Sequence, residues 1–306
     1  MSFFPGKDPQ AGDVYACEAI AQVIVPRTVD LGDFAVRRAL PSGRTRMIGP
    51  FIFFDHFGPA EFRAGNGLDV RPHPHIGLAT VTYLFDGEIV HRDSLGTAAA
   101  IKPGEVNWMT AGRGIVHSER TGAELRQTGS PIHGLQMWVA LPAAKEEMDA
   151  GFAHHATAEF PVVQENGKNV RVVVGSLYGA SSPVPTVHET VFGDVHLKAG
   201  STLPLEGEHE ERGVYVIDGV IDIAGDKFEP GKLLVFKPGD KVTIAAATDA
   251  HFVIVGGAAM DGPRHVWWNF VSSRKGRIEQ AKAEWKAGHF GKVPGDEVEF
   301  IPLPET

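Results

Sequence analysis

The chain has 306 residues, 43% of them hydrophobic, and a formal net charge of −9 with histidine neutral. No basic block offsets that charge, which argues against direct binding of nucleic acid, and no apolar run reaches the roughly 20 residues of a membrane span. One cysteine, Cys17, excludes an internal disulfide, and a start without signal-peptide design fits a soluble, cytoplasmic protein.

Glycine (36) and proline (21) together favour many turns and short strands over long helices. In chain order, residues 1–15 read as a loosely held polar arm. Residues 20–26 and 34–39 read as strands, and 50–55 as a buried strand stopped by Gly58-Pro59. His56 closes that run, either near a cavity mouth or as a satisfied structural histidine. Residues 79–84 are rich in Thr, Val and Tyr; Asp86-Gly87 is a hairpin signal, with 88–93 as the return strand. Residues 99–102 lead to another turn at Pro103-Gly104, further strands are expected at 106–110 and 133–141, and 145–149 is a charged loop or turn. Strands about ten residues apart with turn signals between them mean an antiparallel barrel or sandwich.

Two pairs of side chains stand out in this first half. His73 and His75 lie two positions apart in Arg71-Pro-His-Pro-His-Ile-Gly77, and His117 and Glu119 repeat that spacing after the loop Gly112-Arg-Gly114. On an extended strand, residues i and i+2 share a face, so each pair can aim at one point. Among 14 histidines a lone His-x-His pair arises about 0.6 times by chance and is weak evidence. A second pair, on another strand, is stronger: three nitrogens and one oxygen suit Fe, Mn, Ni, Cu or Zn better than Mg or Ca.

The second half opens fresh strands at 170–174 and 187–197, separated by a surface loop at 179–185, and then repeats the first. Val214-Tyr-Val-Ile-Asp-Gly219 echoes Thr82-Tyr-Leu-Phe-Asp-Gly87, and Phe228-Glu-Pro-Gly231 echoes Ile101-Lys-Pro-Gly104. Such repetition means duplicated architecture. The ligands do not repeat: Leu205 and Gly207 fall where His73 and His75 stand, and Ile244 and Ala246 where His117 and Glu119 stand. His209 and Glu211 are a weak substitute, so one metal site and one metal-free barrel are expected. Residues 274–288 form the clearest helix, Trp267-Trp268 reads as strand core or an interdomain plug with nothing to mark a ligand platform, and the tail to Thr306 is extended.

Phe53-Phe-Asp-His-Phe-Gly-Pro59, Arg71-Pro-His-Pro-His-Ile-Gly77, Trp108-Met-Thr-Ala-Gly-Arg-Gly-Ile-Val-His-Ser-Glu119 and Gly134-Leu-Gln-Met-Trp-Val139 resemble the pirin family of the cupin superfamily. The resemblance covers most of the chain, including Trp267-Trp-Asn-Phe270. It implies an all-β fold of two cupin barrels with a short C-terminal helix: a metal-binding domain at 1–160 and a metal-free domain at 161–306. It implies one iron, with other divalent transition metals able to substitute, on His73, His75, His117 and Glu119. Many cupins place the acidic ligand a few residues after the histidine pair; here that place is Ala79, and Glu119 supplies the carboxylate instead, as in pirins. The implied activity is of the quercetin 2,3-dioxygenase type, acting on a flavonol-like molecule and O₂ with Glu119 as base. Phe53, Phe54 and Met109 are candidate cavity walls. The alternative is an iron-dependent, redox-sensing regulator that binds a transcription factor or metabolic enzyme. A blander alternative is a metal that only stiffens the barrel.

Overall fold

The computed structural model describes residues 18–30 and 34–305; the expected arm at 1–15 and Cys17 lie outside these. The chain forms two barrels, each made of a seven-stranded and a four-stranded antiparallel sheet. In the first, the large sheet runs Gly151–His155, Val106–Thr110, Leu78–Asp86, Ser130–Ala140, Phe51–Phe62, Ala35–Leu40, Arg27–Asp30. In the second it runs Ile20–Ile24, Leu233–Phe236, Glu211–Asp218, Ala250–Gly257, Thr190–Leu197, Lys168–Val174, Val162–Glu165. The order is the same in both, as the sequence repeat implies. One edge strand differs in origin: Ile20–Ile24, near the N-terminus, closes the second barrel's sheet by pairing with Leu233–Phe236.

Alternation along the strands explains how these sheets stack. In Leu78–Asp86, Ala79, Val81 and Tyr83 point one way into a core shared with Phe192, Tyr215 and Val253 of the second barrel. Leu78, Thr82 and Leu84 point the other way, into the first barrel. Both faces are buried, so the strand reads as a nearly continuous apolar run. The second barrel's own interior is closed by aliphatic side chains, among them Leu205, Ile244 and Ala246. These are the positions matching three of the first barrel's four candidate ligands. His209 and Glu211 offer no substitute: His209 bonds Glu189 Oε1 (2.8 Å) and the Ser176 carbonyl (2.9 Å), while Glu211 accepts from the Gly49 N–H at 2.6 Å.

Three expectations fail for physical reasons. The strand Phe51–Phe62 does not stop at Gly58-Pro59; Gly58 takes φ +72° and the register against Ser130–Ala140 slips by one residue, a β-bulge that bends the strand without ending it. Asp86-Gly87 does not make a hairpin. Ile89–Asp93 pairs with Ile115–Arg120 and Ala98–Ile101, so the turn carries the chain from the large sheet to the small one. Trp267 and Trp268 do not both sit in strand core: Trp267 ends a short strand, and Trp268, at φ +51°, lines the first barrel's cavity.

The C-terminal helix, expected at 274–288, spans Lys275–Lys286 and buries Ile278 and Ala281 against Ile76 and Phe270. It therefore packs on the first barrel. Gly77 lets the strand Phe270–Ser272, which leads into this helix, come close, since a Cβ there would lie 2.0 Å from the Val271 carbonyl oxygen. Among the described residues no helix is long and apolar enough to cross a membrane.

Candidate metal centre

The antiparallel pairing of Asp69–His75 with Ile115–Arg120 sets His117 directly across from His73 and Ile115 across from His75. His73, His75 and His117 are all buried, and their ring nitrogens come within 4.8 Å of one another. An irregularity between His117 and Glu119 places Glu119 opposite Val70. Glu119 stands outside that 4.8 Å group but lines the same cavity.

The hydrogen bonds fix the tautomers, as assigned from the network. His73 Nδ1 donates to the Arg71 carbonyl at 2.9 Å, and His75 Nδ1 to the Asn269 carbonyl at 3.2 Å. His117 Nδ1 faces His91 Nδ1 at 3.4 Å, and His91 Nε2 in turn donates to Asp93 Oδ2 at 3.0 Å. Each triad imidazole thus keeps its proton on Nδ1 and turns an Nε2 lone pair inward, the form in which histidine binds metal. His75 Nε2 and His117 Nε2 then face each other at 3.1 Å with no hydrogen to share. Two lone pairs at that distance repel unless a cation lies between them, so the donor set fits a metal ion.

Burial reinforces this state. It holds the His73 imidazolium down to about 4 and those of His75 and His117 well below the usual value. At neutral pH the three rings are therefore uncharged, as metal ligation requires. Burial also raises the Glu119 carboxyl, against the hydrogen bonds it receives from Thr82 and Gln136. Thr82 Oγ1 lies 3.2 Å from Glu119 Oε1 and 2.8 Å from Gln136 Oε1, so the carboxylate is steered by a small polar frame.

His73, His75 and Glu119 line a cavity of about 200 Å³ with mostly apolar walls, and His117 lies fully buried beside it. Phe53 and Trp138 stack at 4.0 Å with a 13° interplanar angle, and Trp138 meets His75 edge-on. Arg38 lies 4.4 Å over the Phe53 ring and pairs with Asp55 through bonds of 2.8 and 2.7 Å. Trp268, Asn269 and Ile301, from the far end of the chain, complete the lining. Of the three wall residues expected, only Phe53 lines the cavity. Phe54 faces the second barrel and meets Tyr215, while Met109 packs in a neighbouring cluster. His56 also faces the second barrel, bonded to Tyr215 Oη at 2.9 Å and to His133 at 2.8 Å; burial and Arg37 push its imidazolium down to about 2. It is structural.

Sequence reasoning passed over His91 and Asp93, although their i, i+2 spacing is the signal that marked the other pairs. Thr82, Gln136 and Asn269 lie in segments that the repeat and the family resemblance singled out, but no local pattern gives them a place at the site.

Residues 33–139 match the family described as Pirin, and residues 192–291 match its C-terminal cupin domain. A pirin-like protein of Caulobacter vibrioides is 49% identical over 282 residues, covering 91% of this chain and 97% of that protein. The crystal structure of a quercetin 2,3-dioxygenase from Acinetobacter baumannii superposes with a TM-score of 0.86 at 35% identity, covering 93% of this chain and 95% of that one. A bacterial pirin from Escherichia coli in complex with nickel(II) shares the fold at TM-score 0.63 and 18% identity, over 78% of this chain and 99% of that one.

Proposed function

The chain belongs to the pirin family, and on that premise we propose that it is a metal-dependent dioxygenase acting on flavonol-like molecules in the first barrel. One observation carries the reading: three imidazole lone pairs converge beside an apolar cavity lined by two of those rings and by a buried carboxylate. Its similarity to the Acinetobacter quercetin 2,3-dioxygenase supports the substrate class.

In this reading His73, His75, His117 and Glu119 hold the metal, iron in the first instance. When bound, such an ion supplies Lewis acidity and one-electron chemistry toward O₂. The side chains do the rest. The flat Phe53–Trp138 stack orients a planar substrate, and the apolar walls exclude water. Glu119 accepts the proton of the substrate hydroxyl, as a buried carboxylate that lines the cavity. Thr82 and Gln136 hold its oxygens in place.

O₂ uptake with quercetin tests the reading. The iron-loaded wild type is expected to consume O₂ faster than the same concentration of free iron; equal rates would dismiss it.

One contact favours a second reading, a redox-sensing regulator that binds a protein partner. His75 Nδ1 bonds Asn269, so a change at the triad acts directly on a segment that continues into the C-terminal helix, whose outer face is exposed. Pull-downs with oxidised and reduced protein check this; equal capture in both states counts against it.

A further inference from the structure

Outside the first barrel's cavity, three more metal-binding side chains come together. Asp194 and His196 lie two apart on Thr190–Leu197, and His251 on Ala250–Gly257 is the direct cross-strand partner of His196. Their donor atoms all lie within 4.8 Å of one another. We infer that Asp194, His196 and His251 form a second metal site, for a late first-row divalent ion such as Zn²⁺ or Cu²⁺, on the outer face of the second barrel.

This is not the cupin interior of that barrel. Val191 and Val195, on the same strand, fill the interior, while Asp194 and His196 point the opposite way, into a cleft of about 660 Å³ between the barrels. The carboxylate is built in rather than incidental. Tyr83, from the first barrel, donates to Asp194 Oδ2 at 2.7 Å, and Arg171 stands 3.5 Å from the same oxygen. Oδ1 is left to face the imidazoles: His251 Nε2 at 2.7 Å and His196 Nε2 at 3.9 Å. A metal ion replaces the proton now shared by His251 and Asp194, and the Tyr83 bond orients the carboxylate as outer partners of metal ligands do.

The two imidazoles lie stacked, with centroids 4.0 Å apart and planes at 16°. One ring must turn to point its lone pair at a common ion. His196 can do so, because its side chain is 57% exposed. Two nitrogens and one oxygen select zinc or copper over magnesium or calcium, and the open cleft leaves room for water ligands. Arg171 offsets part of the Asp194 charge, so this site is the weaker of the two.

Zn²⁺ titration of the metal-free full chain, followed by competition with a chromophoric chelator, tests the inference. Two binding classes are expected. His196→Ala and His251→Asn should each weaken the weaker class by at least about ten-fold and leave the stronger one intact, while His75→Ala should do the reverse. Equal melting temperatures of wild type and His196→Ala would show that the fold is kept. A single class in the wild type, or a weaker class that survives either substitution, overturns the assignment.

Discussion

Arg120 donates to both carboxylate oxygens of Asp296, at 2.7 and 2.9 Å, and so fastens the C-terminal tail one residue away from Glu119. The same guanidinium also reaches Asp69 and Glu299, and the Ile301 N–H bonds the Pro72 carbonyl at 2.8 Å. Ile301 lines the cavity. The tail is therefore part of the site, held by this charge cluster and by bonds of Ile301 to Pro72 and Trp285. Asp296→Ala should cost about 1–2 kcal/mol of stability and raise KM for a flavonol while leaving kcat nearly unchanged. Denaturant midpoints and steady-state kinetics check both; an unchanged KM would detach the tail from substrate binding.

Glu119→Gln keeps the shape and most of the hydrogen bonds to Thr82 and Gln136 but removes the basic oxygen. The three imidazoles should retain iron, and kcat should fall about 10²- to 10⁴-fold, the usual worth of a positioned base. Full turnover by an iron-replete variant would remove Glu119 from the chemistry.

Asp93 is buried, and its two oxygens have separate tasks. Oδ1 accepts from the Leu95 and Thr97 N–H groups, and Oδ2 accepts from His91 Nε2. Asp93→Asn can keep the turn but loses the acceptor that orients His91 behind His117. Metal affinity at the triad should fall about 10- to 100-fold with little change in melting temperature, as read by chelator competition.

The metal-free protein should be acid-labile. His73 titrates near 6.5 when unfolded and at about 4 when folded, so between those values the unfolded state binds the extra proton. Stability is thus intact above pH 6.5 and drains away toward pH 4, by about 3 kcal/mol from His73 alone. His75 and His117, lowered further, add in the same direction. Glu119, raised by burial, acts in the opposite sense above pH 4.5 but is one group against three. Urea midpoints measured between pH 7 and 4 should fall steadily; a flat series would contradict the burial argument.

How much of this was legible in the sequence follows from distance along the chain. The i, i+2 pairs announced the triad because a strand's geometry is local, and the Asp-Gly and Pro-Gly echoes announced the duplicated barrels for the same reason. The bulge at Gly58-Pro59 and the sheet change at Gly87 were misread because both residues signal a turn, whereas tertiary pairing decides what the turn joins. The cavity's roof was hidden because Asn269 meets His75 across 194 positions. His251 finds His196 only through strand register, which no local pattern encodes.

The account rests on one transition ion gripped by His73, His75 and His117. X-ray absorption at the iron edge, on protein loaded with one equivalent of iron, measures that grip most directly. The account predicts scattering from three imidazoles, reduced to two in His117→Ala and unchanged in His196→Ala. Fewer than three imidazoles in the wild type, or a spectrum indifferent to His117→Ala, would contradict it.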